Sequence, residues 1–369
     1  MDFGLFCLMN ARDPKKKPED VYRETVEQVK LAEDVGFSTA WFAEHHFSSY
    51  SLCPSPIMVA TWCAGQTKRI KLAPGVLVLP LYEPRRLVQD LAMLDIMSGG
   101  RMIVGLGTGY QSYEFERFGV ELKEAGDRTM EYMDIIEQAL TTGQIGYDGK
   151  YYKLPGAKIA VMPVHRPEVY MAGVLNHPGI RKRVAENSYV SMLQPGLKTV
   201  QLVMDQAKAY GEVFKSVGKR PEDFPLALNR FACVSEDRNE MLAAAEHYRY
   251  VYRSAMAFRF NYVKLDGFAP ADMPGEGELP LEEIVSNGIA GPPELCAEKI
   301  VAEVKLLNPT HYMFFIQLGA LPHKNAMRTI ERLGKEVFPL VRKALPDLDR
   351  RGPRAGLLRD PRDRHAAAQ

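Results

Sequence analysis

Residues 39–47 read TAWFAEHHF, and this stretch decides how the rest of the chain is interpreted. It begins with β-forming and small residues and ends in three successive ionisable side chains, Glu44, His45 and His46. Such a pattern is typical of a buried strand whose last residues emerge into a site. We therefore predict a strand here, with the chemistry at its carboxyl end.

Apolar runs alternate with helical patterns along the rest of the chain. The predicted strands fall at residues 3–9, 39–47, 70–79, 102–106, 169–172, 189–193, 226–234 and 312–318. Between them, apolar residues recur at the spacing of one helical face, and glycine or proline often marks the helix ends. Eight strands alternating with helices favour an α/β fold, the (β/α)8 TIM-type barrel, in which loops after the strands form the site.

We predict one barrel domain over residues 1–345, with two insertions. Residues 145–165 are rich in turn-forming glycine and proline and are interpreted as a hairpin. Residues 258–291 continue an aromatic stretch into a segment rich in glycine, proline and acidic residues. Residues 346–369 are rich in arginine, aspartate and proline, which predicts a flexible tail.

A doubly wound sheet is the competing architecture. Its dinucleotide fingerprint, G-x-G-x-x-G, has its nearest counterpart in the run GLGTG at residues 105–109. The third glycine comes one position too early there, and Tyr110 stands where the pattern needs glycine. The barrel is therefore preferred.

Composition excludes several classes of partner. The 369 residues include 47 basic and 46 acidic side chains, so no net field attracts nucleic acid or an anionic membrane. The five cysteines are scattered and contain no C-x-x-C pair, which indicates a reducing compartment. No apolar run approaches the roughly 18 residues that a membrane span requires. We predict a cytoplasmic protein with a small-molecule partner.

The Glu44-His45-His46 triplet carries the candidate catalytic side chains. In a strand, His45 points to one face and its two neighbours to the other, so the histidines do not converge on one metal. No supporting cluster of cysteines or acids accompanies them, and no metal site is predicted. His45 is either a hydrogen-bonded core residue or a proton-transfer group, for which imidazole is suited near neutral pH.

Three glycine-containing turns are candidate ligand-binding segments. Gly75-Val76 interrupts the third strand and permits close approach of a flat ligand, although a simple bulge also explains it. Gly107-Thr108 follows the fourth strand and offers backbone amides and a hydroxyl to a phosphate. Gly173-Val174 precedes a helix whose amino terminus offers further amides. Arg128 either adds positive charge here or is a solvated helix residue.

Several motifs together resemble bacterial luciferase-like flavin-dependent monooxygenases. They are FGLF at 3–6, EHHF at 44–47, LP at 79–80 with PR at 84–85, LDIMSGGR at 94–101, the glycine run at 105–109, residues 114–119, GPPE at 291–294 and EVFP at 336–339. Their order follows that of the family over about residues 1–345. The ordered set is far more specific than any single motif.

The resemblance implies an enzyme, usually a homodimer, that binds reduced FMN at the carboxyl ends of the barrel strands. A separate flavin reductase supplies the reduced FMN. O2 reacts through a flavin peroxide to oxygenate a small apolar or carbonyl-containing organic substrate. The same barrel also serves relatives that use a deazaflavin for hydride transfer, and others that bind flavin without catalysis. These two alternatives stay open.

The resemblance also assigns site residues. His45 matches the active-site histidine, which serves hydrogen bonding or proton transfer with Glu44 in support. Gly75-Val76 matches a position that often carries a non-prolyl cis peptide bond against the flavin.

Two positions depart from the family pattern. Luciferases proper carry a reactive cysteine where this chain has Gly107, so light emission is not expected. The turn at Gly173 lacks the usual serine or threonine after the glycine, which shifts phosphate binding to backbone amides, Thr108 and Arg128. Residues 248–291 are interpreted either as a lid over the flavin or as ordinary core.

Overall fold

A computed structural model of the chain describes residues 1–362, apart from the side chain of Leu175. The strands are β1 Asp2–Cys7, β2 Thr39–Phe42, β3 Lys71–Pro74, β4 Leu77–Val78, β5 Val104–Gly107, β6 Gln144–Asp148, β7 Lys153–Lys158, β8 Val169–Ala172, β9 Val190–Leu193, β10 Leu226–Val234, β11 Leu265–Asp266, β12 Ala269–Pro270, β13 Ile289–Gly291 and β14 His311–Phe315. The helices are α1 Pro18–Val35, α2 Pro56–Ala64, α3 Pro84–Ser98, α4 Ser112–Phe118, α5 Ala125–Thr142, α6 Pro178–Asn187, α7 Gln201–Ser216, α8 Arg238–Arg259, α9 Leu281–Asn287, α10 Pro293–Leu307, α11 His323–Arg332 and α12 Phe338–Ala344.

The main sheet is parallel and closes on itself. Its strand order is β3-β2-β1-β14-β10-β9-β8-β5-β4, and β3 and β4 are the two halves of one interrupted strand. A parallel bridge between Leu72 and Met102 joins the first half of that strand to the approach to β5. Eight strand positions therefore form a ring with helices outside it, and the predicted (β/α)8 TIM-type barrel is confirmed.

The segments predicted as insertions contain short strands. The turn-rich segment 145–165 lies around the antiparallel hairpin β6–β7. The boundary expected at residue 258 falls inside α8, which continues to Arg259. Residues 289–291 form β13 and pair in parallel with the end of β10, so this last part extends the main sheet.

The amino end of the barrel is filled by a buried cluster around Trp41. The Trp41 ring packs edge-on against Tyr170 and His311, with centroids 4.8 Å and 5.6 Å away. Thr39 Oγ1 lies 3.0 Å from Trp41 Nε1 and 2.6 Å from His311 Nε2, and the Tyr170 hydroxyl lies 3.0 Å from His311 Nδ1. These side chains satisfy one another's hydrogen bonds and close this end of the barrel.

Residues 353–360 form a strap across the same end, which differs from the flexible tail expected for 346–369. The backbone of Gly356 accepts a bond from Val169 and donates one to Ser188, at 3.0 Å and 2.7 Å. Leu358 is buried, and Arg359 Nε lies 2.7 Å from the buried Glu137 carboxylate. Distant partners thus bind these residues despite their polar composition. Residues 363–369 lie outside the described part.

The twelve helices of residues 1–362 include none that combines the length and the apolar character needed to cross a membrane.

Candidate active site

The carboxyl ends of the barrel strands surround a cavity of about 400 Å³. Its apolar wall is formed by Phe6, Leu8, Val78, Met192, Leu193, Met313 and Phe315. Eight of the residues predicted to form the site line this cavity, and Arg128 does not; the eight are Glu44, His45, Gly75, Val76, Gly107, Thr108, Gly173 and Val174. A largely apolar cavity with a few polar groups at this end of a barrel is the usual form of a small-molecule site.

His45 is held by polar groups of α4 and the loop before it. Its Nδ1 atom lies 3.1 Å from Glu114 Oε1 and 3.0 Å from Gln111 Nε2. Glu114 is buried and also accepts the backbone N–H of His46 at 2.8 Å. The described residues offer no partner to Nε2 of His45, which leaves that nitrogen for a ligand in the cavity.

Glu44 lies behind His45 and holds the neighbouring backbone together. Its carboxylate accepts the Tyr82 hydroxyl at 2.6 Å and the Val78 N–H at 3.3 Å, and its other oxygen lies 3.1 Å from His46 Nε2. Burial raises the pKa of Glu44, although these three partners oppose the shift. With its oxygens occupied and its side chain fully buried, Glu44 is placed to position the loop after β2.

The interruption of the third strand lies directly against the loop after β5. The Gly75-Val76 peptide bond is cis, as the resemblance implies, and the Gly75 N–H donates to Phe42 O at 2.7 Å. A Cβ atom on Gly107 would lie 2.4 Å from Val76 Cγ2. Only glycine therefore fits at position 107 without displacing Val76, and a cysteine there would meet the same obstacle.

The turn after β8 forms the other glycine-lined part of the cavity. Gly173 has a φ of +72°, and a Cβ added to it would lie 3.2 Å from Thr108 Oγ1 and 3.5 Å from Asn176 Nδ2. The two predicted phosphate-binding segments, at Thr108 and Gly173, are thus brought together. Asn176, at the amino-terminal approach to α6, adds an amide that the sequence analysis did not assign.

The prediction that Arg128 binds cofactor is not supported by its position. Its guanidinium binds Glu124 Oε2 at 3.0 Å and lies 4.7 Å from the centre of the Tyr151 ring, outside the cavity lining. Arg128 lies on α5 one turn after Glu124, and this local ion pair and ring stacking account for its orientation. The sequence shows that this side chain is positively charged, but not that it points away from the cavity.

The sequence analysis missed a group of amides on the opposite wall. Asn229 donates to Gln194 Oε1 at 3.4 Å, while the buried Oδ1 of Asn229 and Oε1 of Gln206 have no hydrogen-bond partner among the described residues. The signal was present, because Asn229 interrupts the apolar run LALNRFACV of β10. Buried amide oxygens without partners favour a ligand that donates hydrogen bonds.

One cation stands at the lip of this cavity. Arg259, the last residue of α8, places its guanidinium 4.6 Å from the centre of the Tyr110 ring. Among the described residues that line the cavity, it is the only lysine or arginine. Sequence reasoning had no means to find it, since the position of the helix end depends on the tertiary fold.

The aromatic stretch 248–268 divides into buried and exposed parts. Tyr248, Tyr250 and Phe258 are buried, and Phe258 packs against Tyr50, whose ring in turn contacts His45 at 4.7 Å between centroids. Phe260, Tyr262 and Phe268 are exposed. The hairpin β11–β12 is tied to the loop after β2 by the bond from Ser49 N to Phe268 O, at 2.8 Å.

Relatives of known sequence agree with this arrangement. Residues 1–308 match the profile described as luciferase-like monooxygenase. An uncharacterized protein of Sinorhizobium fredii is 33% identical, covering 94% of this chain and 99% of its own length. The oxygenase component of the flavin-dependent trigonelline monooxygenase of Acinetobacter baylyi is 25% identical, covering 94% of this chain and 97% of its own.

Solved structures share the fold at lower identity. The monooxygenase RslO1 from Streptomyces bottropensis superposes with a TM-score of 0.78 at 20% identity, covering 92% of this chain and 99% of its own. The oxygenating constituent of 3,6-diketocamphane monooxygenase from Pseudomonas putida, in complex with FMN, superposes with a TM-score of 0.71 at 22% identity. The match covers 92% of this chain and 98% of that structure. The coenzyme F420-dependent tetrahydromethanopterin reductase of Methanopyrus kandleri superposes with a TM-score of 0.66 at 22% identity, with the same coverage of the two chains.

The profile match covers most of the chain, and it agrees with the barrel and with the motifs around His45 and Gly107. The chain belongs to the luciferase-like monooxygenase family.

Proposed function

We propose that the protein is the oxygenase component of a two-component flavin-dependent monooxygenase, which receives reduced FMN from a separate reductase. The observation that carries the proposal is His45, fixed through Nδ1 by Glu114 while Nε2 is left for a ligand in the cavity. An imidazole held in this way is suited to proton transfer at a bound reactant. The family and the flavin-dependent relative from Acinetobacter support an oxygenase.

The cavity lining fits a flat flavin with a phosphate tail. Gly75, Val76 and Gly107 form one wall of the cavity, where glycine at position 107 leaves room for the Val76 side chain. The unpartnered oxygens of Asn229 and Gln206 offer acceptors to the N–H groups of a heteroaromatic ring. Thr108, Asn176 and the Gly173-Val174 amides are suited to the phosphate.

Reduced flavin, when bound, supplies the electrons that let one atom of O2 enter an organic molecule while the other leaves as water. The protein's own residues have separate tasks. His45 exchanges a proton at Nε2, Glu114 orients the imidazole, and Glu44 holds the loop that carries it. The apolar wall limits access of water and suits a small apolar or carbonyl-containing substrate.

One experiment separates this function from the two alternatives. The purified protein is titrated without oxygen with photoreduced FMN and, in parallel, with reduced coenzyme F420, and air is then admitted while absorbance is followed. We expect reduced FMN to bind and its reoxidation to differ from that of free reduced FMN. Binding of coenzyme F420 alone would instead favour hydride transfer, and FMN bound with unchanged reoxidation would favour a storage protein.

The same experiment with His45→Asn tests the residue assignment. This variant keeps a polar side chain but cannot exchange a proton near neutral pH, so FMN should still bind while the protein's effect on reoxidation is lost. If the His45→Asn protein behaves like the wild type, the histidine is a core residue.

We further propose that the protein forms a homodimer through α2 and α3. These two helices pack together and present exposed apolar side chains on their outer face: Met58, Trp62, Met93, Ile96 and Met97. Exposed apolar side chains grouped on two packed helices are typical of a subunit interface. Met58→Glu and Met97→Glu should convert the dimer to a monomer in light scattering after gel filtration. A wild-type protein that is already monomeric at micromolar concentration would contradict the proposal.

A further inference from the structure

Arg259 differs from the other arginines of α8 in having no acidic partner within residues 1–362. Three of the four arginines on this helix bind carboxylates of the chain: Arg238 binds Glu282, Arg249 binds Glu246, and Arg253 binds Glu278 and Asp272. Arg259 forms no ion pair with any described carboxylate, and its guanidinium makes a cation–π contact with the Tyr110 ring. The arginine that reaches the cavity is thus the one left unpaired.

The acids of the cavity do not neutralise this guanidinium. Glu44 and Glu114 are the carboxylates among the described lining residues, and both are buried with 3% and 1% exposure. Glu44 is occupied by Tyr82, Val78 and His46, and Glu114 by the loop that carries His45. The lip of the cavity therefore carries a positive charge that an incoming anion meets without competition.

A cation–π contact with Tyr110 holds the guanidinium in place, and its N–H groups donate to no acceptor among the described residues. A guanidinium over an aromatic face is stabilised by the ring, while its N–H groups stay in the guanidinium plane, where they bind a carboxylate in two parallel bonds. Tyr110 itself contacts the His45 ring, with centroids 5.8 Å apart. One aromatic ring thus separates the cation from the histidine assigned to proton transfer.

We propose that Arg259 binds the carboxylate of the organic substrate, so that the protein acts on a small organic acid. The assignment to a substrate rests on the proposed function. The flavin phosphate is the other anion expected at this site, and it is better served by the amides of the Gly173 turn with Thr108. The substrate then has its charged end at the lip and its apolar part against Met192, Met313 and Phe315.

The test compares acids with their neutral amides. Pairs such as benzoate with benzamide, nicotinate with nicotinamide and octanoate with octanamide are titrated by calorimetry, with and without FMN. In the wild type at least one carboxylate should bind about 10-fold or more tightly than its amide, as expected for a charge-assisted hydrogen bond. Arg259→Gln should remove the difference, and Arg259→Lys should retain part of it. A panel in which no acid binds more tightly than its amide, or in which nothing binds, overturns the proposal.

Arg117→Gln is a matched control. Arg117 is also exposed and stacked on a tyrosine, with its Cζ 3.4 Å from the centre of the Tyr113 ring, but it lies outside the cavity lining. Its replacement should leave the preference for carboxylates unchanged. Loss of the preference in this variant as well would mean that general surface charge causes it, which contradicts a specific subsite.

A second measurement separates the substrate from the flavin phosphate. The dissociation constants of FMN and riboflavin are determined for the wild type and for Arg259→Gln. We expect the substitution to leave their ratio unchanged. If the substitution weakens the binding of FMN but not of riboflavin, Arg259 binds the phosphate and the substrate assignment is wrong. If acids are preferred but no flavin binds, the proposed function fails while the anion subsite stands.

Discussion

The two ends of the barrel are built from the same eight strands but treat their polar side chains in opposite ways. At the amino end, Thr39, Tyr170 and His311 bond to one another around Trp41. At the carboxyl end, the oxygens of Asn229 and Gln206 and the guanidinium of Arg259 are left without partners among the described residues that would satisfy or neutralise them. The closed end stabilises the barrel, and the open end keeps binding capacity for a ligand.

The largest loss of stability is expected from a substitution at the closed amino end of the barrel. Trp41→Ala removes a fully buried side chain from the centre of the cluster that closes the amino end, and should lower the free energy of unfolding by about 3–5 kcal/mol. Trp41→Phe keeps an aromatic ring there and should cost less. Urea unfolding followed by circular dichroism measures both. A loss below about 1 kcal/mol for Trp41→Ala would show that this end does not carry the stability assigned to it.

The second prediction uses pH at the same end. Burial lowers the pKa of His311 to about 4, from about 6.5 in an unfolded chain. Between these values the unfolded state binds more protons, so stability falls as the pH falls from about 6.5 to 4, by up to about 3 kcal/mol. Above pH 6.5 this contribution is constant.

His311→Gln isolates that contribution. The variant has no imidazole to protonate, so the difference in unfolding free energy between it and the wild type should shrink as the pH is lowered through this range. Other groups titrate equally in both proteins and cancel. A difference that is independent of pH would mean that His311 keeps its ordinary pKa.

The third prediction tests the open end. Gly107→Ala places a methyl group 2.4 Å from Val76 Cγ2, which should cost about 1–3 kcal/mol by overpacking and weaken FMN binding. Val76→Ala makes room for that methyl group. The double variant should therefore lose less stability and less flavin affinity than the sum of the losses in the two single variants. Unfolding and flavin titration measure these losses. Strict additivity would show that the two residues do not share this space.

The smallest expected effect concerns the support of His45. Glu114→Gln keeps an oxygen for the His46 N–H but removes the carboxylate beside His45 Nδ1. Product formation should slow about 10-fold, which corresponds to an activation barrier higher by about 1.4 kcal/mol. As a positioning residue, Glu114 should affect kcat and its pH profile more than KM. Glu116→Gln, exposed on the same helix, is the control and should change neither.

The barrel was accessible from sequence because its strands are short apolar runs bounded by glycine and proline. Residues 169–172 and 226–234 were predicted as strands and are strands with the same bounds, since a strand buried on both faces reads as continuous apolar sequence. β13 was missed because three residues, Ile289–Gly291, carry no pattern of their own. Its pairing with β10 exists only in the folded chain.

The site was partly accessible for the same reason. His45, Gly107 and Gly173 directly follow or end strands, so the barrel topology alone brings them together. Arg259 and Glu114 come from helices whose approach to the cavity depends on packing. Arg128 shows the converse, because an arginine of suitable charge is turned away by Glu124 next to it on the helix.

The strap of residues 353–360 has a consequence for the order of events during synthesis. It follows all eight barrel strands in the chain, yet it supplies backbone partners to Val169 and Ser188 near the starts of β8 and β9. A ribosome therefore releases every strand, and every cavity residue described above, before the segment that seals the opposite end. The ligand-binding end can assemble first, and the last section of chain then locks a barrel that already has its site.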